Sequence, residues 1–322
     1  MGARYLARKL AQAVVTIVFI VLLNFLLFRM MPGSPDRILA RNMPAAAHEQ
    51  LRERWGLDKP LIPDQLVAYV SATFQGDLGD SYKFRGQSVV DVLSGRLWPT
   101  LLLFGLGELI AIFLGLGLGA YSGWKRGGAV DYIGNGVSLI LYSMPYFIIG
   151  MIMLIVFSAT LGWFPTSGMY TIAASYSSPL DQALDLLSHL ALPLATVAIG
   201  LIGQYSILMR SSIVDTLGED YITTARAKGL PDGTVMRDHA LPNALLPAVT
   251  LIAINMGYVI AGAITVEVVF GWPGLGTLTV EALAARDYPV LQGIFLLLSV
   301  SVVLANFVAD LAYGVLDPRV RT

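Results

Sequence analysis

Three carboxylates sit where carboxylates are costly. Glu108, Glu267 and Asp310 each interrupt, or lie near the end of, a long apolar run. An ionisable group inside a membrane-length segment is by default a functional candidate: a proton carrier, a cavity contact or half of a buried pair. Glu267 falls near the outer end of its run and Asp310 near the inner end, so each reads as structural hydrogen bonding or gating, or as a substrate-pathway contact. Glu108 is deepest and fits a buried pair or a cavity contact equally. Asn24, Gln204, Asn255 and Asn306 are the polar neighbours in such runs. Other chemistries find little. Cysteine is absent, which removes thiolate catalysis, disulfides and thiolate metal sites. His48, His189 and His239 form no H-E-x-x-H pair, and no serine has a motif-level base. GLGELIAIFLGLGLG is not G-x-x-x-x-G-K-[ST], and no such loop occurs anywhere, so the chain should not hold ATP catalytically. GWPGLG (271–276) reads as turn structure in an outer loop.

The elements that must position these groups are membrane helices. The 322 residues are 56% hydrophobic and 13% charged, against about 25% charged in soluble domains, and mean hydropathy is +0.68. The net charge of −1 gives no global pull towards nucleic acid. Six spans are expected: Leu10–Phe28, Leu97–Tyr121, Tyr132–Leu161, Leu190–Met209, Leu245–Phe270 and Val290–Val315. Each is near or above the roughly twenty residues that cross the hydrocarbon. The first is too long for the core of a cleaved signal and lacks a small-residue cleavage site, so it reads as a retained helix. The third is long enough to tilt or kink at Pro145. Gly115, Gly119 and Gly123 share one face of the second, which fits tight packing or a hinge or pore-lining role.

With the N-terminus inside, the inner segments hold Arg4, Arg8, Lys9, Lys125, Arg126, Arg210, Arg226, Lys228, Arg237, Arg319 and Arg321, and the short outer loops only Arg286. Nine further bases, from Arg29 to Arg96, belong to or border the long first loop, but long segments translocate largely regardless of charge. The reading is therefore N-in and C-in. Residues 1–31 form the N-terminus and first span, 32–96 an extracytoplasmic helical loop, and 97–322 a five-helix core. Within the loop, HEQLRERWGLDKP starts as a helix, LIPDQLVAYVSATF is a second one opened by Pro63, and GDLGDSYKFRG is a turn-rich return. Trp163 and Phe164 mark an interface belt in the loop from Gly162 to Ser188.

One inner segment, 210–244, breaks the apolar pattern. Gly218–Lys228 reads as a helix with Asp220 at the positive end of its dipole and Tyr221, Ile222 and Ala225 on a less polar side. Gly229 suits the left-handed position just past a helix end. Asp232 is placed to cap a second short helix, Thr234–Ala240, that should stop before Pro242. Two short helices at an angle make a knob that either docks in another protein or lies on the headgroups.

This stretch resembles the EAA loop of bacterial ABC importer permeases, whose pattern is Glu-Ala-Ala, three residues, Gly, nine residues, then Ile-x-Leu-Pro. It matches at Ala225, Gly229, Leu241 and Pro242, and departs at Thr223, Thr224 and His239. The departures are similar to the peptide-importer branch, with its D-Y-[IV]-x-T-A-R-A-K-G-L and H-x-L-x-N-x-L-x-P forms. PGSPD (32–36), GLDKPL (56–61), GDLGDS (76–81), RLWPTLLL (96–103), SMPYF (143–147), LGWFPTSG (161–168), HLALP (189–193), VFGWPGLG (269–276), RDYPVLQG (286–293) and NFVADLAYGVLDPRVR (306–321) carry the likeness along nearly the whole chain. The long first loop favours the first permease subunit of peptide and nickel importers.

The resemblance implies an all-α polytopic protein with the type I ABC importer permease fold in the bacterial cytoplasmic membrane. It implies no cofactor in this chain, with ATP and Mg held by partner ATPase subunits. The implied partners are a second homologous permease, two cytoplasmic ATPases, an extracytoplasmic substrate-binding protein and the lipid membrane, with no nucleic acid. The implied ATPase-coupling residues are Asp220, Tyr221, Thr224, Ala225, Arg226, Ala227, Lys228, Gly229, Leu230, His239, Leu241 and Pro242. Glu108, Asn255 and Glu267 remain candidates for the translocation pathway or its gate. The alternatives are a proton-coupled secondary transporter that uses the intramembrane carboxylates, and a membrane scaffold that transports nothing.

Overall fold

The computed structural model describes residues 3–30, 60–259 and 264–316. PGSPD (32–36), most of GLDKPL (56–61), the helix expected from HEQLRERWGLDKP and the basic C-terminal end therefore lie outside the described residues. Among those described, the regular structure is helical apart from one isolated bridge between Asp80 and Ser88.

Eleven helices position the site: α1 (Ala3–Met30), α2 (Leu66–Phe74), α3 (Val89–Trp124), α4 (Ala129–Ser143), α5 (Tyr146–Thr160), α6 (Pro179–Leu217), α7 (Asp220–Ala227), α8 (Asp232–Val259), α9 (Ile264–Val269), α10 (Leu275–Ala285) and α11 (Tyr288–Leu316). Five of them, α1, α3, α6, α8 and α11, are long and apolar enough to cross a membrane; counting α4 and α5 as one bent span makes six.

The expected third span is the main departure. It is two arms bent by 100°, not one tilted helix. A residue before proline is driven out of the helical region, and Met144 sits at φ −82°, ψ 127° before Pro145. Pro145 then opens α5 from an extended conformation. The second span also begins earlier than expected, at Val89 rather than Leu97. Ser88 caps it: its Oγ accepts from the Asp91 N–H at 3.1 Å and donates to the Asp91 carboxylate at 2.7 Å. The expected fifth span, Leu245–Phe270, falls on α8 and α9, with 260–263 outside the described residues.

The α3–α6 pair forms the spine. A Cβ on Gly107 would meet Val197 Cγ1 at 2.6 Å, one on Gly115 the Ile202 carbonyl at 2.9 Å, and one on Gly123 the Arg210 carbonyl at 2.9 Å. The glycine face is thus a close helix–helix seam rather than a pore wall. At 39 residues α6 is roughly 58 Å long at about 1.5 Å per residue, well beyond the hydrocarbon thickness. Its far end is tied to the 162–178 loop, because Asp185 accepts from Thr171 N–H at 2.8 Å, Thr171 Oγ1 at 2.6 Å and the Tyr176 hydroxyl at 2.6 Å.

Candidate functional site

The knob folds against the spine as its sequence demands. Ile222 and Ala225, three residues apart, face inwards and are buried with Val235, Ala240 and Ala244 of α8, Met209 and Ile213 of α6, and Ala120 of α3. Tyr221, Thr224, Arg226, Ala227, Lys228, Gly229, Leu230 and Asp220 are exposed. Partial burial, and then Glu219, push the Tyr221 phenol above its ordinary value. The Arg226 guanidinium lies 5.7 Å from the Trp124 ring centroid at the end of α3. Gly229 has φ +78°, the left-handed position that glycine takes at a helix end.

The second half of the knob differs from the expectation. Pro231 occupies the cap position and Asp232 is the first helical residue, with no side-chain cap bond. The helix does not stop before Pro242. Its turns widen over Val235–Ala240, and the Leu241 N–H reaches back to the Met236 carbonyl. This shifted register accommodates a proline that gives no N–H. The second half of the knob is therefore the first part of α8, with His239 and Leu241 half-buried and Pro242 exposed.

Two of the three pathway candidates converge. Tyr205 on α6 donates its hydroxyl to the Glu108 carboxylate on α3. Asn255 Nδ2 on α8 donates to the same Tyr205 hydroxyl at 3.0 Å and to Gln204 Oε1 at 3.4 Å. Glu108 is 2% exposed, and the network ties the middle of α3 to α6 and to the last turns of α8. Glu267 lies elsewhere, at the end opposite the knob. Its carboxylate accepts from Thr100 Oγ1 at 2.7 Å and from the Thr277 N–H at 3.0 Å, which places a carboxylate at the start of α10. The glycines of GWPGLG make room for it: a Cβ on Gly276 would lie 2.9 Å from Glu267 Oε2. Trp272 seals the same corner through Nε1 to the Pro99 carbonyl at 2.9 Å. Asp310 pairs with Lys9 at 2.7 Å and so fastens α1 to α11. The three carboxylates thus occupy three separate places.

Sequence reasoning missed two further acids. Asp131, on α4, accepts from Arg210 Nε at 2.5 Å and Nη2 at 2.9 Å, from Ser122 Oγ at 3.0 Å and from the Gly127 N–H at 3.0 Å. Asp131 falls just before the expected third span and Arg210 just after the expected fourth, so neither reads from sequence as an intramembrane charge in need of a partner. Asp287, fully buried, takes Ser81 Oγ at 2.5 Å and the Lys83 N–H at 2.9 Å, docking the returning loop onto the start of α11.

Between α4, α6 and α8 lies an open cleft of about 500 Å³. Gln204, Ile207, Leu208 and Ser211 supply one helical stripe, and Pro247, Thr250, Leu251 and Ile254 a second, antiparallel one. Tyr142 closes the α4 side. No lining residue is charged. Among the described residues, no group of three or more potential ligands is placed to hold a metal ion.

Residues 115–322 match the family of binding-protein-dependent transport system inner membrane components, and residues 2–100 match its N-terminal counterpart. A Brucella suis protein carrying a peptide-permease name is 40% identical over 99% of both chains. The dipeptide transport system permease protein DppB of Escherichia coli K12 is 38% identical over 99% of this chain and 98% of its own. A solved structure of the MetNI methionine ABC transporter, in inward-facing conformations, superposes with a TM-score of 0.55 at 17% identity, covering 71% of this chain and 97% of that one. That likeness is one of fold.

Proposed function

We infer, from the premise that this chain belongs to the family of binding-protein-dependent transport system inner membrane components, that it carries di- or oligopeptides across a bacterial cytoplasmic membrane. It is a multi-pass transporter subunit, not an enzyme. In this reading both termini face the cytoplasm. Residues 1–31 are the N-terminus and first span, 32–96 an extracytoplasmic loop, and 97–322 the permease core with its coupling loop at 210–244. A second, homologous permease completes the pathway. Two ATPases with ATP and Mg sit below, and a substrate-binding protein docks outside.

One observation carries the mechanism: the second half of the knob and one wall of the cleft are the same helix. α8 runs from Asp232 in the knob to Pro247, Thr250, Leu251 and Ile254 at the cleft. A partner that grips exposed Tyr221, Thr224, Arg226, Lys228 and Leu230 pulls on Ile222 and Ala225, which are packed on α8 and the spine. Closure of the ATPases then tilts α8 against α6 and opens the cleft to the other side. Ala225 and Leu241 act as the seat of the knob, Gly229 shapes its turn, and His239 and Pro242 mark the widened stretch of α8 that follows. Glu108 and Asn255 hold α8 to the spine between strokes. Glu267 keeps the outer corner shut. Neutral walls suit a cargo whose side chains vary in charge, and affinity resides in the receptor.

The test is uptake of a labelled dipeptide by the complete assembly in proteoliposomes. The reading expects uptake that requires internal ATP and survives an uncoupler. Uptake that ignores ATP and collapses with the uncoupler would transfer the function to a proton-coupled carrier.

A further inference from the structure

Gln204 is the one carboxamide on the cleft wall, and the structure gives it an unusual setting. Its Oε1 is held by Asn255 Nδ2 at 3.4 Å, near the outer limit for such a bond. Asn255 is itself fixed by its 3.0 Å bond to Tyr205, and Tyr205 by Glu108. The carboxamide thus meets, on its far side from the cleft, a chain of polar groups that ends at Glu108 on α3. The bond to Asn255 leaves the two N–H groups of Gln204 unused by that contact. Below it, Ser211 and Thr250 add hydroxyls over a stripe of about 10 Å, the length of seven helical residues.

Five of the nine lining residues are aliphatic or proline, so the Gln204 carboxamide is a polar exception among them, and lipid does not explain it, because an amide facing hydrocarbon is penalised. A charged ligand does not explain it either, since no lining residue carries a charge. An occupant that offers neutral donors and acceptors among apolar groups does. We propose that Gln204 is a contact for the amide backbone of a peptide in passage: it reads N–H and C=O groups rather than side chains, with Asn255 as its positioning residue. This rests on the peptide reading above. A carboxamide suits the task because it offers both a donor and an acceptor. One shared hydrogen bond, worth about fivefold to tenfold, keeps the contact weak enough to release its cargo.

The experiment uses the complete assembly in proteoliposomes with two probes, an alanine tripeptide and the same tripeptide N-methylated at its internal amides. Receptor affinity for each is measured separately and divided out. Wild type should move the methylated probe about fivefold to tenfold more slowly, the scale of one lost hydrogen bond. Gln204→Leu should slow the plain peptide by a similar factor and abolish the discrimination. Gln204→Asn should restore part of it, which a merely structural role would not. A photo-crosslinker at Ile207 should capture the peptide. Unchanged discrimination in assembled Gln204→Leu would overturn the proposal, as would capture of the second permease in place of peptide at Ile207. A wild-type assembly that moves no peptide fails the peptide reading itself and takes this proposal with it.

Discussion

Arg210 grips Asp131 side-on with two nitrogens along one edge of its guanidinium, Nε to Oδ1 at 2.5 Å and Nη2 to Oδ2 at 2.9 Å, and so locks α4 to the knob end of α6. Asp131 is almost fully buried, whereas Arg210 keeps 28% of its side chain exposed. Removing the arginine leaves an uncompensated carboxylate; removing both partners does not.

Arg210→Ala should therefore cost about 3 kcal/mol, at the low end for a buried pair because the arginine is part-exposed. The double variant Arg210→Met, Asp131→Asn should recover most of that loss. Thermal unfolding in detergent reads both. Equal losses in the single and double variants would show that the pair itself is not what matters.

The seam between α3 and α6 makes a second prediction with an internal control. Gly115→Ala forces a methyl to within 2.9 Å of the Ile202 carbonyl, while a Cβ on Gly117, on the same helix, meets nothing within 4 Å. The first should lower stability by about 1–3 kcal/mol, and the second should be neutral or raise it by about 0.5–1 kcal/mol. Similar midpoints for the two variants would refute the seam.

At the opposite end, Glu267→Gln retains shape but replaces one acceptor with a donor facing Thr100 and the Thr277 N–H. A loss of about 1–3 kcal/mol is expected, read as faster proteolysis near Trp272. Wild-type resistance would mean that the carboxylate does not hold this corner.

For the knob, Gly229 isolates backbone from packing, because a Cβ there meets no atom within 4 Å and φ is +78°. Gly229→Ala should cost about 1–2 kcal/mol of local strain and reduce uptake partially. Gly229→Pro, which needs φ near −65°, should abolish uptake while membrane insertion stays normal. Full uptake by the proline variant would detach the turn from coupling.

The contrast between the parts read from sequence and the parts missed has a physical basis. Long apolar runs announce helices α1, α3, α6, α8 and α11 because the bilayer demands length and hydropathy, and both are local properties. Gly229 was legible because its left-handed turn depends on one residue. The break at Met144-Pro145 was only half legible: proline signals a kink, but the 100° angle depends on what α4 and α5 pack against. The Asp131–Arg210 grip was not read, since its partners lie 79 residues apart and only the fold joins them. Glu108 and Asn255 were each flagged by burial cost, yet Tyr205, the group that connects them, reads as an ordinary apolar-face aromatic. The seat at Ala225 illustrates a different limit. Ala225, a position that matches the motif, is 5% exposed here, so it packs inwards, and only the exposed residues beside it are free to meet a partner.

The central claim is that the exposed side of α7 meets an ATPase, and the most direct measurement is photo-crosslinking from Thr224 in the assembled importer. A matched probe at Leu283, which is 62% exposed at the opposite end, serves as control. The account predicts that Thr224 captures a P-loop ATPase subunit and that Leu283 does not. Assembly intact with no ATPase captured at Thr224, or equal capture at both positions, would contradict it.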